Sequence, residues 1–166
     1  VPAAASFSGT LLAYQGLLRF ADLRAPVWPN WVLVAAGVAV HGYFLVGQPD
    51  LAARNLNFAI VLLALGIQIA WLLLYGVPRS LRPSTLPAGL VFAAYNLINA
   101  ARILHYFLLP EQGSSYFHAG SFNLLVMVVY QVLFVFLAFS LVLMYVRRLL
   151  SDIRTQEALV TAAFDS

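Results

Sequence analysis

The sequence predicts an all-α polytopic membrane helix bundle, and three observations carry that prediction. Of its 166 residues 63% are hydrophobic and only 9% charged, whereas a soluble domain is about half apolar and about a quarter charged. Five apolar runs approach the roughly 20 residues that a helix needs to cross a bilayer core about 30 Å thick. The arginines fall almost entirely in alternate connections between those runs. A compact soluble fold of this composition would expose much apolar surface to water, which argues against a typical soluble enzyme, a nucleic-acid-binding module and a disordered tail. Backbone groups in lipid must be paired within their own segment, so the runs are expected to be helices.

The first run covers about residues 3–20 and is the weakest, with Ser6, Ser8, Thr10 and Gln15 inside it. The second covers about 28–46, the third 51–75, the fourth 86–109 and the fifth 119–146. Breakers separate them: Pro26 and Pro29, Gly47 with Pro49, Pro78 with Pro83 and Pro87, and Pro110 with Gly113. The expectation is five spans over 1–146 and a linker helix over 147–166. From Ser121 to Ser166 no glycine or proline interrupts the chain. The fifth helix is therefore expected to run past the membrane, with Val146, Leu149, Ile153, Gln156, Val160 and Ala163 near a/d spacing.

All nine basic residues are arginine. Arg19, Arg24, Arg79, Arg82, Arg147, Arg148 and Arg154 fall on one side of the alternation, and Arg54 falls on the other. Cytoplasmic loops collect basic residues, so the start of this segment is expected outside and its C-terminus inside. Trp28, Trp31, Trp71 and Tyr75 would then lie at the inner interface, and Tyr43, Tyr106 and Tyr116 at the outer one.

Ionisable residues within a span are costly, and each is a candidate functional group. Arg102 lies in the outer third of the fourth run. It either snorkels outward, or contacts an anionic ligand, or pairs with Glu111 or Asp50. Asn96, Asn99, Arg102 and His105 repeat every three residues, a line that drifts about 60° per step around a helix. Such a line serves either interhelical packing or a ligand pocket. His41, His105 and His118 all fall toward the outer side, without the local spacing of a metal or haem site. The candidate ligand-binding set is Arg102, His105, Asn99 and His41; no metal, cofactor or catalytic residue is expected. Asn57, Gln68 and Gln131 would make the interior mildly polar. Every acidic residue falls in a loop or the tail, which argues against ion-coupled transport. Ala35, Ala36, Gly37, Ala39, Gly66 and Gly89 would permit close helix approach.

Several stretches together resemble a known class. They are LLAYQGLLRF (11–20), GQPDLAARNLNF (47–58), AARILHYFLLP (100–110) and LVLMYVRRLLSDIRTQEALVTAAFDS (141–166). The chain resembles the N-terminal multi-span membrane sensory region of bacterial signalling proteins, of the GGDEF (diguanylate cyclase), PAS or histidine kinase type. The resemblance implies a bacterial inner-membrane location and one or two further spans before Val1. It also implies a cytoplasmic output domain joined after Ser166, and a homodimer formed through the exit helix. No GGDEF sequence, phosphoacceptor-histidine motif or ATP-binding glycine box occurs in these residues, so the segment itself is not expected to be an enzyme or to engage nucleic acid. The alternatives are a small transporter or channel subunit and a haem-binding membrane redox protein. On the sensory reading, Arg102→Ala should abolish the response to stimulus and leave membrane insertion intact. A reporter assay with a fractionation control checks this, and a normally signalling variant would remove Arg102 from the ligand contacts.

Overall fold

The computed structural model describes residues 2–108 and 121–164. It contains five helices: α1 (Pro2–Phe20), α2 (Trp28–Gly42), α3 (Leu51–Trp71), α4 (Arg82–Leu108) and α5 (Ser121–Phe164). The last turns of α2 and α3 widen into π-helical turns at Tyr43–Gly47 and Leu72–Gly76. Helix α3 is central and packs against α1, α2 and α4, while α4 carries α5 on its other side. The expected linker boundary at 146/147 is not marked by any break, since α5 runs straight through it.

Among the described residues four stretches, not five, are long and apolar enough to cross a membrane: Trp28–Gly47, Leu51–Gly76, Arg82–Leu108 and Leu124–Glu157. The expectation of five spans is corrected at α1. That segment is a helix as expected, but Ser6, Ser8, Thr10, Gln15 and Arg19 dilute its apolar content. Its apolar residues are concentrated on one stripe instead. Ala3, Phe7, Leu11, Tyr14, Leu17 and Leu18 are buried against α2 and α3 at helical spacing. This is the pattern of an amphipathic helix that holds a bundle together.

The turn after α1 closes with paired bonds. Leu23 N–H donates to the Leu18 carbonyl (2.9 Å) and Asp22 N–H to that of Arg19 (3.1 Å). This arrangement places a residue in the left-handed region, and Asp22 occupies it at φ 54°. The Asp22 carboxylate then accepts from Arg148 of α5 at 3.1 Å, and the same guanidinium lies 4.8 Å over the Phe20 ring.

Amides join α2 to α3. Asn30 and Gln68 exchange two hydrogen bonds, 2.8 Å and 3.0 Å, and Asn57 Nδ2 donates to the Gly37 carbonyl at 2.9 Å. Gly37 makes that approach possible, because a Cβ there would stand 2.7 Å from Val61. The expected interior role of Asn57 and Gln68 is therefore seen, but Gln131 faces outward from α5 and is not part of the interior.

The prolines decide how α3, α4 and α5 dock. At the end of α3, Val77 N–H donates to the Leu72 carbonyl (3.0 Å), and Pro78 has no N–H to offer the Leu73 carbonyl. Thr85 of α4, fully buried, donates to that carbonyl at 2.8 Å. Arg82 donates to the Tyr75 carbonyl at 3.0 Å. Within α4, Pro87 cannot donate to the Pro83 carbonyl, and Arg147 of α5 donates to it at 3.1 Å. These contacts, with Asp22–Arg148, bring the α1–α2 turn, the α3–α4 turn and the arginine pair of α5 to one end of the bundle. Trp28, Trp31, Trp71 and Tyr75 are exposed on helix turns adjoining those connections. Tyr43 is exposed at the opposite end of α2, while Tyr116 lies outside the described residues.

Thr85→Val keeps the shape but leaves the Leu73 carbonyl buried without a donor, and should cost roughly 1–3 kcal/mol. Thr85→Ser should cost less, because the hydroxyl is retained. Reversible unfolding in mixed micelles measures both.

Candidate functional site

The chemistry-bearing residues gather where α4 meets α5. Tyr130 of α5 donates its hydroxyl proton to Asn99 Oδ1 at 2.7 Å. Asn99 Nδ2 donates to the Tyr95 carbonyl at 3.0 Å, and the Tyr95 hydroxyl donates to the Tyr130 carbonyl at 3.2 Å. The two phenol rings lie 5.4 Å apart, tilted by 37°. Arg102, one turn beyond Asn99, lies within electrostatic reach of the Tyr130 side chain. Helical spacing explains the cluster: Tyr95, Asn99 and Arg102 stand at i, i+4 and i+7, on one face of α4.

This network borders a cavity of about 440 Å³. Its walls come from α1 (Ser6, Gly9, Thr10, Ala13), α3 (Phe58, Leu62, Gly66), α4 (Phe92, Tyr95, Asn96, Asn99) and α5 (Tyr130, Phe134, Leu137). A second hollow of about 300 Å³ follows toward the arginine end, between Leu17 and Phe20 of α1 and Leu141 and Met144 of α5. Among the described residues no charged side chain lines either hollow. The half of the bundle toward the arginine end is packed around α3, where Leu72, Leu73 and Phe92 are buried, but is open between α1 and α5.

The four sequence-derived candidates separate. Asn99 and Arg102 converge on Tyr130, and Asn99 lines the cavity. His105 continues α4 one turn past Arg102 and does not line the cavity. His41 belongs to α2, within electrostatic reach of Arg54 of α3, and takes no part in the cavity. The His41 Nδ1 and Arg54 Nε atoms are shielded from solvent without hydrogen-bond partners. No cluster of three metal-ligating residues occurs among the described residues. His118 and Glu111 lie outside them.

Sequence reasoning missed Tyr95 and Tyr130 as partners of the polar line. The signal lay in α5, where Val126, Tyr130, Leu133, Leu137, Ser140 and Met144 repeat at intervals of three and four and face the bundle. That stripe selects Tyr130 as the inward residue and turns its neighbour Gln131 outward.

Comparison with protein-family models, with curated proteins and with solved structures finds no match to this chain. What the described residues define is an all-α structure with four helices of membrane-crossing length and, among those residues, an uncharged hollow behind a tyrosine–asparagine network. Tyr130→Phe should strip Asn99 Oδ1 of its donor and separate α5 from α4 by about 1 kcal/mol. Asn99→Leu in the same background should add a smaller further loss, because the bond to Tyr130 is already gone and only the Asn99 bond to the Tyr95 carbonyl is left to remove. A double-mutant cycle of unfolding free energies checks the coupling.

Proposed function

We propose that the chain is a membrane-embedded sensory input and anchoring module of a bacterial signal-transduction protein. In this reading it lies in the inner membrane with its arginine end and C-terminus in the cytoplasm. An event at the outer side or within the membrane passes through α5 to a cytoplasmic output domain. The observation that supports the reading is the construction of α5. It is one helix of 44 residues, about 66 Å long at 1.5 Å per residue, against a bilayer core of about 30 Å. Its inner stripe walls the cavity beside Tyr130, and its far end continues well beyond Arg147 and Arg148. A ligand or lipid change that favours one packing of α4 against α5 shifts the equilibrium by its differential affinity for the two packings.

The outer face of α5 favours a homodimer. Leu124, Val128, Gln131, Val135, Ala138, Val142 and Val146 are all exposed at spacings of three and four. Leu149, Ile153, Gln156 and Val160 extend the stripe into the segment past the arginine pair, also exposed. Beyond the membrane an isolated helix of this length is marginal in water, and its apolar stripe needs cover. Two copies inserted with the same topology present parallel α5 helices. Gln131 then meets Gln131 and Gln156 meets Gln156. A glutamine amide both donates and accepts, so the side chain is self-complementary.

The described residues contain no cysteine, which makes single-cysteine cross-linking direct. Val135→Cys and Val142→Cys should form disulfide dimers in native membranes, whereas Leu133→Cys and Leu137→Cys on the inner stripe should not. Gln131→Leu should weaken the dimer by about 1 kcal/mol. Ser151→Cys should react with a membrane-impermeant thiol reagent only from the cytoplasmic side. Cross-linking from the inner stripe, or labelling from the outer side, would overturn this reading of α5.

A further inference from the structure

We propose that the cavity binds an uncharged, lipid-soluble carbonyl compound with a single apolar tail. The carbonyl would accept from Asn96, and the tail would lie along the gap between α1 and α5. The inference deepens the sensory reading by naming the ligand class of its site, and it rests on that reading only for its purpose.

The shape comes first. The two hollows share Ala13, Phe92 and Leu137, so they form one elongated space parallel to the helix axes. On α1 the wall is made of small residues, Ser6, Gly9, Thr10, Ala13 and Gly16, with the Thr10 hydroxyl donated to the Ser6 carbonyl; a Cβ added at Gly9 or Gly16 would meet nothing within 4 Å. The space is therefore unfilled and not closed by neighbouring side chains.

Polarity is graded along the space. One end carries the amides and phenols of α4 and α5 and the hydroxyls of Ser6 and Thr10, and the other ends on Leu17, Leu141 and Met144, with Tyr145 as its one polar residue among those described. Most of the polar groups are already engaged. Asn99 uses both ends of its amide, and the Tyr95 and Tyr130 hydroxyl protons are both donated. Asn96 is different. Its Oδ1 is shielded from solvent with no hydrogen-bond partner, pressed against the backbone of Gly66, where a Cβ would collide with it. Asn96 lines the cavity, and among the described residues no hydrogen bond engages its amide nitrogen. Unpaired amide N–H donors in apolar surroundings are costly, and an acceptor delivered by a ligand removes that cost on the nitrogen side, leaving Oδ1 against Gly66 as it is.

Depth sets the charge of the head. Asn96 lies near the middle of α4 (Arg82–Leu108), and among the described residues the lining has no countercharge. An ionised head is disfavoured there, and a neutral carbonyl is not. A prenylated quinone and a fatty acyl ester share this chemistry.

The test uses the full chain in lipid nanodiscs, titrated with decylubiquinone, with methyl palmitate, and with hexadecane as the tail without an acceptor. Binding to the folded form raises the thermal midpoint in proportion to ligand saturation. A saturable rise with decylubiquinone, with methyl palmitate or with both supports the proposal and identifies the source, while hexadecane leaves the midpoint unchanged. Asn96→Ala should weaken the binding about tenfold, the loss of one hydrogen bond. Gly9→Leu or Ala13→Phe, which fills the space, should abolish the rise. An equal response to hexadecane, an unaltered affinity in Asn96→Ala, or no response to either carbonyl compound overturns the proposal. Failure here with α5 cross-linking intact leaves the sensory reading standing. Binding without dimeric α5 removes that reading and keeps the cavity.

Discussion

A backbone carbonyl freed in apolar surroundings must find another donor, and the arrangement of α3, α4 and α5 depends on that requirement. Pro78 and Pro87 withhold the N–H groups that the Leu73 and Pro83 carbonyls would otherwise use. Thr85 and Arg147 supply replacements from the next helix in each case. A local defect thus becomes a tertiary contact. The prolines do more than end helices: each leaves an acceptor whose donor fixes where the neighbouring helix sits. The Asp22–Arg148 pair adds a third tie at the same end, but with Asp22 82% exposed it contributes little on its own.

The polar network across α4 and α5 works differently. There the backbone is intact, and side chains are paired with each other and with carbonyls that are already bonded. Removal of one member leaves the others in place but loosens the seam. Stiff proline-directed contacts thus lie at the arginine end, and an adjustable side-chain seam lies along the middle. The cavity sits beside the seam, where a bound molecule has the most influence on packing.

Much of the helical framework was legible in the sequence. Four of the five apolar runs correspond to helices of crossing length; Pro26, Pro29, Gly47, Pro49 and Pro78 fall in or beside the connections, whereas Pro87 lies inside α4, and Pro110 and Gly113 lie outside the described residues. The arginine alternation anticipated that the α1–α2 turn, the α3–α4 turn and the end of α5 share one end of the bundle. The character of α1 was harder to read, because helical periodicity looks alike in a lipid-facing span and an amphipathic packing helix; Ser6, Ser8, Thr10 and Gln15 were the discriminating residues. Asn99 was recognised, but its partner was not. A polar line on one helix says that bonds are needed, and only the azimuth of the facing helix decides whether Tyr130 or Gln131 meets it. His41 and His105 shared a membrane face with Arg102 in sequence, yet His41 belongs to a helix that does not border the cavity.

The absence of any break in α5 has a mechanical consequence. Between Tyr130 at the seam and Gln156 in the tail lie 26 rises of 1.5 Å, a lever of about 39 Å. A tilt of about 5° pivoting at Tyr130 would displace the Gln156 end by about 3 Å. With no glycine or proline hinge from Ser121 to Ser166, such a tilt has nowhere to be absorbed. The rod also preserves azimuth, so a twist that turns Tyr130 toward or away from Asn99 swings Gln156 through the same angle. A small change in how one phenol is seated is thereby delivered, undiminished in angle and enlarged in displacement, to the far end of the helix.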